Sequence, residues 1–193
     1  MADKTKLDYN EMLQAEFNYI ANTAFQANED RSRVTSFYFI STGSLVAAIL
    51  GTQFAAAQVK SISLAFSLLF LVLTILGALT IAQLARLRAA WHESVEAMNK
   101  IKDFYIEDHP AIANAFKWRI KSIPPTDKPY SIANLMAIEV SLLGALTAAA
   151  FMYFLLNFAG NINLFSWLLV ALSLVSGYIA QWTWYKYLLV DNQ

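Results

Sequence analysis

At 193 residues the chain has room for one ordinary domain, yet 58% of it is apolar and 15% is charged, against about a quarter charged in soluble domains. Fourteen basic side chains cancel fourteen acidic ones, so no charge excess holds a phosphate backbone, and nucleic acid is excluded as a partner class. The absence of cysteine excludes disulfide frameworks, thiolate metal sites and thiol nucleophiles, and two histidines leave little for metal chemistry, so no metal or cofactor is expected.

The polar stretch 1–33 carries both signs of charge and lacks the basic-then-apolar order of a secretory leader. Neither Pro nor Gly occurs between residues 5 and 42, which predicts one helix running from this stretch into the first apolar run. Four such runs occur, at 34–54, 62–84, 135–156 and 164–184, each near the 20 residues that a hydrocarbon core of about 30 Å demands of a helix. The predicted fold class is an all-α integral membrane protein with four transmembrane helices in two antiparallel hairpins. Its segments are a cytoplasmic helix at 1–33, a first hairpin at 34–84, a cytoplasmic part at 85–130, a second hairpin at 131–189 and a tail at 190–193.

Four Lys and Arg precede the first run, one (Lys60) follows it, eight lie between the second and third, none at 157–163 and one (Lys186) near the end. The positive-inside rule then places both termini in the cytoplasm of a multi-pass protein of the inner or cell membrane. Trp182, Trp184, Tyr185 and Tyr187 crowd the inner end of the fourth run, where aromatic rings anchor in the headgroup layer.

The second run has no helix breaker from Ala78 until Pro110, so two long helices are expected to protrude as a stalk. Leu84, Leu87, Trp91, Met98, Ile101 and Tyr105 recur at spacings of three and four, interrupted at Ser94, and Leu13, Phe17, Ile20, Ala24 and Ala27 do the same on the first helix. These seams either face each other or bind a neighbouring subunit. Over 111–121, Ile112, Phe116, Trp118 and Ile120 alternate with Lys117, Arg119 and Lys121, and a short amphipathic helix at the inner headgroup layer is expected. Pro124, Pro125 and Pro129 force an extended connection into the third run.

No constellation for catalysis emerges, and the chain does not read as an enzyme. His92, Glu93 and Glu96 lack the second histidine that a zinc-protease helix needs at position 96. Glu139 is the one formal charge inside any run, and an intramembrane carboxylate faces a bundle interior, an aqueous path or a partner. Arg86 and Lys186 are its candidate ion-pair partners. Alternatively it lines a water-filled opening together with Asn134 and Gln181. Small residues recur every four positions, as Gly43, Ala47 and Gly51, then Thr74, Ala78 and Ala82, then Ala137, Ser141, Ala145 and Ala149, then Ser173 and Gly177. Such stripes let helices approach closely in lipid, and four of them favour a homo-oligomer.

The run Asn28-Glu29-Asp30-Arg31-Ser32-Arg33 leading into Ser36-Phe37-Tyr38-Phe39 and Gly43, followed by Arg86-Leu87-Arg88 and Trp91, resembles the SLATT-type membrane effector families of bacterial conflict systems over about residues 5–108. In those families a polar helix precedes a transmembrane hairpin and another helix follows it. The resemblance implies an oligomeric pore-forming or membrane-perturbing effector under a nucleotide-sensing or proteolytic partner. A second hairpin is added here and no sensor domain accompanies it. The leading expectation is an oligomeric channel-like effector that depolarises the membrane on a cytoplasmic signal. The alternative is a non-conducting scaffold whose stalk docks a partner.

Overall fold

The computed structural model describes residues 9–51, 59–160 and 162–190. The described residues are helical apart from one connection, with α1 over Tyr9–Gly51, α2 over Val59–Asp108, α3 over Ile132–Ala159 and α4 over Leu164–Val190. Of these, α2, α3 and α4 are long and apolar enough to cross a membrane. The first apolar run occupies the last turns of α1, and its end at 52–54 lies outside the described residues.

Local chemistry sets the helix ends. Pro110 stops α2 by removing a backbone donor. Ser131 caps α3 by accepting the Asn134 N–H at 3.3 Å, and Gly160 closes it at φ 80°, a left-handed position that glycine adopts without strain. The connection corrects one expectation. Residues 111–121 form no continuous amphipathic helix: a 3-10 helix at Pro110–Ala115 and another at Ile120–Ser122 are separated by extended backbone at Phe116 and Arg119. This stretch meets α2 through Phe116 and Arg119, which are half-buried, while Trp118 and Ile120 are exposed: Arg119 pairs with Asp103 at 2.9 Å and Lys102 lies 5.8 Å from the Phe116 ring centre.

α2 and α3 form the centre. α4 packs on α3 and to a lesser extent on α2, and α1 lies along α2 almost alone. Asn10 meets Tyr105 at 3.3 Å, and Tyr38 lies against Gly77 further along, so α1 and α2 run in opposite directions. On α1, Ala24 and Ala27 are buried while Leu13, Phe17 and Ile20 are half-buried along the same face. The α2 face differs from the predicted seam: Leu87, Trp91, Met98, Ile101 and Tyr105 are half-buried, whereas Ser94, Val95 and Asn99 are buried. The displacement arises because α2 is covered on two sides, by α1 and by the connection.

Asn99 is 0% exposed, accepts from Lys102 Nζ at 3.0 Å and leaves its Nδ2 without a partner among the described residues. A buried amide donor left unpaired costs about 1–3 kcal/mol. Asn99→Leu is therefore expected to stabilise the chain by about 1 kcal/mol, read as a later midpoint when helicity is followed through a denaturing detergent titration.

Candidate functional site

Two layers of polar side chains cross the bundle. The first is built on glycine. A Cβ at Gly77 would lie 2.6 Å from the Tyr38 hydroxyl and 3.5 Å from the Cα of Gly144, while one at Gly144 would overlap the Gln181 amide. Tyr38 of α1, Gly77 of α2, Gly144 of α3 and Gln181 of α4 thus form one transverse line through four helices. Around it, Thr74 Oγ1 donates to Thr147 Oγ1 at 3.1 Å, Ser67 Oγ to the Phe151 carbonyl at 3.3 Å and Ser173 Oγ to the Ala148 carbonyl at 3.1 Å. Gly177 would place a Cβ 3.4 Å from the Cα of Ala145, and Ala137, Ser141, Ala145 and Ala149 are all buried. The α3 stripe therefore lies in a close helix contact, as small residues permit. The α1 stripe does not: Gly43, Ala47 and Gly51 are exposed, and a Cβ at Gly43 or Gly51 would meet nothing. Ala78 is exposed as well.

The second layer lies where α1, α2, α4 and the connection meet. Arg31 and Arg88 are 7% and 5% exposed, and Tyr185 is 1% exposed. Arg88 donates from Nε to the Thr126 carbonyl at 2.9 Å and from a terminal nitrogen to the Pro125 carbonyl at 3.3 Å, and stacks 4.5 Å from the Trp91 ring centre. Arg31 donates to the Asn28 side chain, but its Nε has no partner among the described residues. No carboxylate forms an ion pair with either arginine among the described residues. Burial lowers both guanidinium pKa values, and the charge of Arg88 lowers that of Arg31 further. Burial at this junction corrects the reading of Tyr185 as a headgroup anchor, while Trp184 and Tyr187 remain exposed.

Comparison of the chain with protein families, with curated proteins and with solved structures gives no match. Function has to be argued from these two layers and from what lies outside them.

Glu139 lies outside them. It is exposed on the outward side of α3, whereas Asn134 and Gln181 are buried inside the bundle, so the three do not share one opening within a subunit. Nor does Glu139 pair with Arg86 or Lys186. Lys186 meets Asp127 at 3.8 Å and lies 5.3 Å from the Trp182 ring centre, and Arg86 enters no ion pair among the described residues. The physical reason is angular: Ala137, Val140, Ser141 and Gly144 occupy the buried face of α3, and Glu139 falls on the opposite side of the helix. Sequence reasoning passed over Tyr38, Gly77, Gly144 and the buried roles of Arg31 and Arg88. Gly77 and Gly144 are lone glycines within apolar runs, and that is the signal a close backbone approach leaves in a sequence. No group of three or more His, Asp or Glu is arranged to hold a metal among the described residues.

Proposed function

We propose that the chain is an oligomeric membrane protein, with four spans per subunit and both termini in the cytoplasm, that raises membrane permeability when its helical stalk receives a cytoplasmic signal. Glu139 carries the reading. A carboxylate on the outward side of an apolar helix would cost a lone subunit up to about 3 kcal/mol at the bilayer centre and less toward the interface. A water-filled path between subunits, or a cation on a neighbour, removes that cost.

Among the described residues the interior of one subunit is closed at this level, because Gly77 and Gly144 bring the α2 and α3 backbones together and Tyr38 and Gln181 fill the space on either side. Conduction would then run between copies, along the face that holds Glu139. The outward α1 stripe of Gly43, Ala47 and Gly51 is a second surface available to a neighbour, and the resemblance of residues 5–108 to SLATT-type effectors points the same way.

Purified protein is expected to have the mass of an oligomer in mild detergent and to conduct in planar bilayers. Glu139→Gln is expected to lower cation conductance by about tenfold, since a ring of carboxylates sets cation selectivity. Monomeric mass, or silent bilayers with the oligomer present, overturns the proposal. The second reading, a non-conducting scaffold, draws on a mainly apolar cavity of about 430 Å³ at the stalk tip between Leu13, Phe17, Ile101 and Phe116, which would seat an apolar side chain of a partner. It predicts silent bilayers and an axis sealed by Leu and Phe.

A further inference from the structure

α1 and α2 leave a groove between them whose two halves differ in chemistry. The half toward the stalk is a cavity of about 470 Å³ walled by Asp30, Arg33, Val34, Gln83, Arg86 and Leu87. The adjoining half, about 330 Å³, shares Arg33, Val34 and Gln83 and continues between Phe37, Leu76 and Leu79 as far as Ser41. From position 30 to 41 the groove follows about 16 Å of helix. Phe37 and Leu79 are 67% and 55% exposed, so the apolar half opens sideways to whatever surrounds the bundle.

We propose that this groove holds one anionic phospholipid, its phosphate between Arg33 and Arg86 and one acyl chain laid along Phe37, Leu76 and Leu79. The site rests on the span assignment above, which puts its cationic half at the inner headgroup layer and its apolar half in the hydrocarbon.

The order of chemistry along the groove is that of a phospholipid: charge, then amide at Gln83, then hydrocarbon. Arg86 enters no ion pair among the described residues, and the contacts of Arg33 with Glu29 and Asp30 are long, at 3.9 and 3.7 Å, and solvent-exposed, so a phosphate displaces them readily. Planar guanidinium groups suit a tetrahedral oxyanion because they donate two parallel bonds. Behind the groove, Arg31 and Arg88 add two buried cations that no carboxylate pairs with. Asp30 on the wall opposes them with one negative charge. A helix from a second copy would fill the apolar half without answering the cationic one.

The full-length chain is reconstituted with phosphatidylglycerol and phosphatidylcholine of matched acyl chains, and the lipid retained per chain is read by native mass spectrometry. Phosphatidylglycerol is expected to be retained in preference by roughly twenty-five-fold, fivefold from each arginine. The double variant Arg33→Gln/Arg86→Gln should abolish the preference, Leu79→Trp should block retention by filling the groove, and Lys117→Gln should change nothing. Equal retention of both lipids by the unaltered chain overturns the site, and so does a preference that survives the double variant or is lost as fully in Lys117→Gln. Competition by millimolar inorganic phosphate would also overturn it, by showing a free-anion site.

Because the chain has no cysteine, Leu79→Cys adds its sole thiol. Labelling of that thiol in vesicles by a water-soluble maleimide would sink the span assignment. An unlabelled thiol together with equal lipid retention sinks the lipid site alone. Complete oxidative cross-linking between chains at Leu79→Cys shows a second copy in the groove and rejects the lipid.

Discussion

Arg88→Met is expected to destabilise the fold by about 2–4 kcal/mol, whereas Arg31→Met is expected to leave it unchanged or raise stability by about 1 kcal/mol. Both guanidinium groups are buried at the same junction, and their bonding differs. Arg88 joins α2 to the connection through the Thr126 and Pro125 carbonyls and lies on Trp91. Its loss removes both bonds that tie α2 to the connection, together with a cation–π contact, and opens a gap where a buried guanidinium was. Arg31 leaves its Nε unpaired and repels Arg88 across a desolvated space, so an unbranched apolar side chain of similar length removes a penalty along with one bond to Asn28. The check is the unfolding midpoint of each variant in a denaturing detergent titration. Equal losses for the two would show that burial alone, and not the bonding of each group, sets their contributions.

Gly144→Leu is expected to have the larger effect, opening the bundle rather than straining it. Even a methyl group at this position would overlap the Gln181 amide, and the next helix backbone lies close, since a Cβ on Gly77 would be 3.5 Å from the Gly144 Cα. Overpacking a well-filled core costs about 1–3 kcal/mol and more where backbones must separate. A γ-branched side chain here has to part α3 from α2 or α4, so a loss of at least about 3 kcal/mol is expected. Gly43→Leu, on the exposed face of α1, serves as control and should leave the monomer fold intact. Similar unfolding midpoints for Gly144→Leu and the unaltered chain would show that the crossing carries no such constraint. A drop in oligomer mass for Gly43→Leu would assign the α1 stripe to a subunit interface.

Helix number and extent were legible in the sequence because they rest on run length and on breakers. The α2 terminus at Asp108, the non-helical stretch with three prolines and the α3 start near 132 each follow from one residue type with one backbone consequence. The connection departs from the single amphipathic helix that its composition suggests, because it breaks into two 3-10 helices with extended backbone at Phe116 and Arg119 between them. Side-chain direction was less legible. Glu139 is conspicuous in sequence because it is charged, yet which way it points is decided by which α3 residues are small enough to admit α2 and α4. That is a property of the pair Gly144 and Gln181 rather than of position 139. Likewise, Arg31 and Arg88 look like ordinary members of a positive-inside count, since a count of charges contains no information on burial.

α1 is an unbroken rod of 43 residues, about 65 Å long, and its packing is almost wholly against one neighbour. Its buried side chains run from Ala24 to Thr42, with Tyr38 seated at Gly77, whereas 9–23 carries no fully buried residue. A force applied at Tyr9 therefore acts about 22 Å from the first anchored turn, and the overhanging part of the rod is its lever arm.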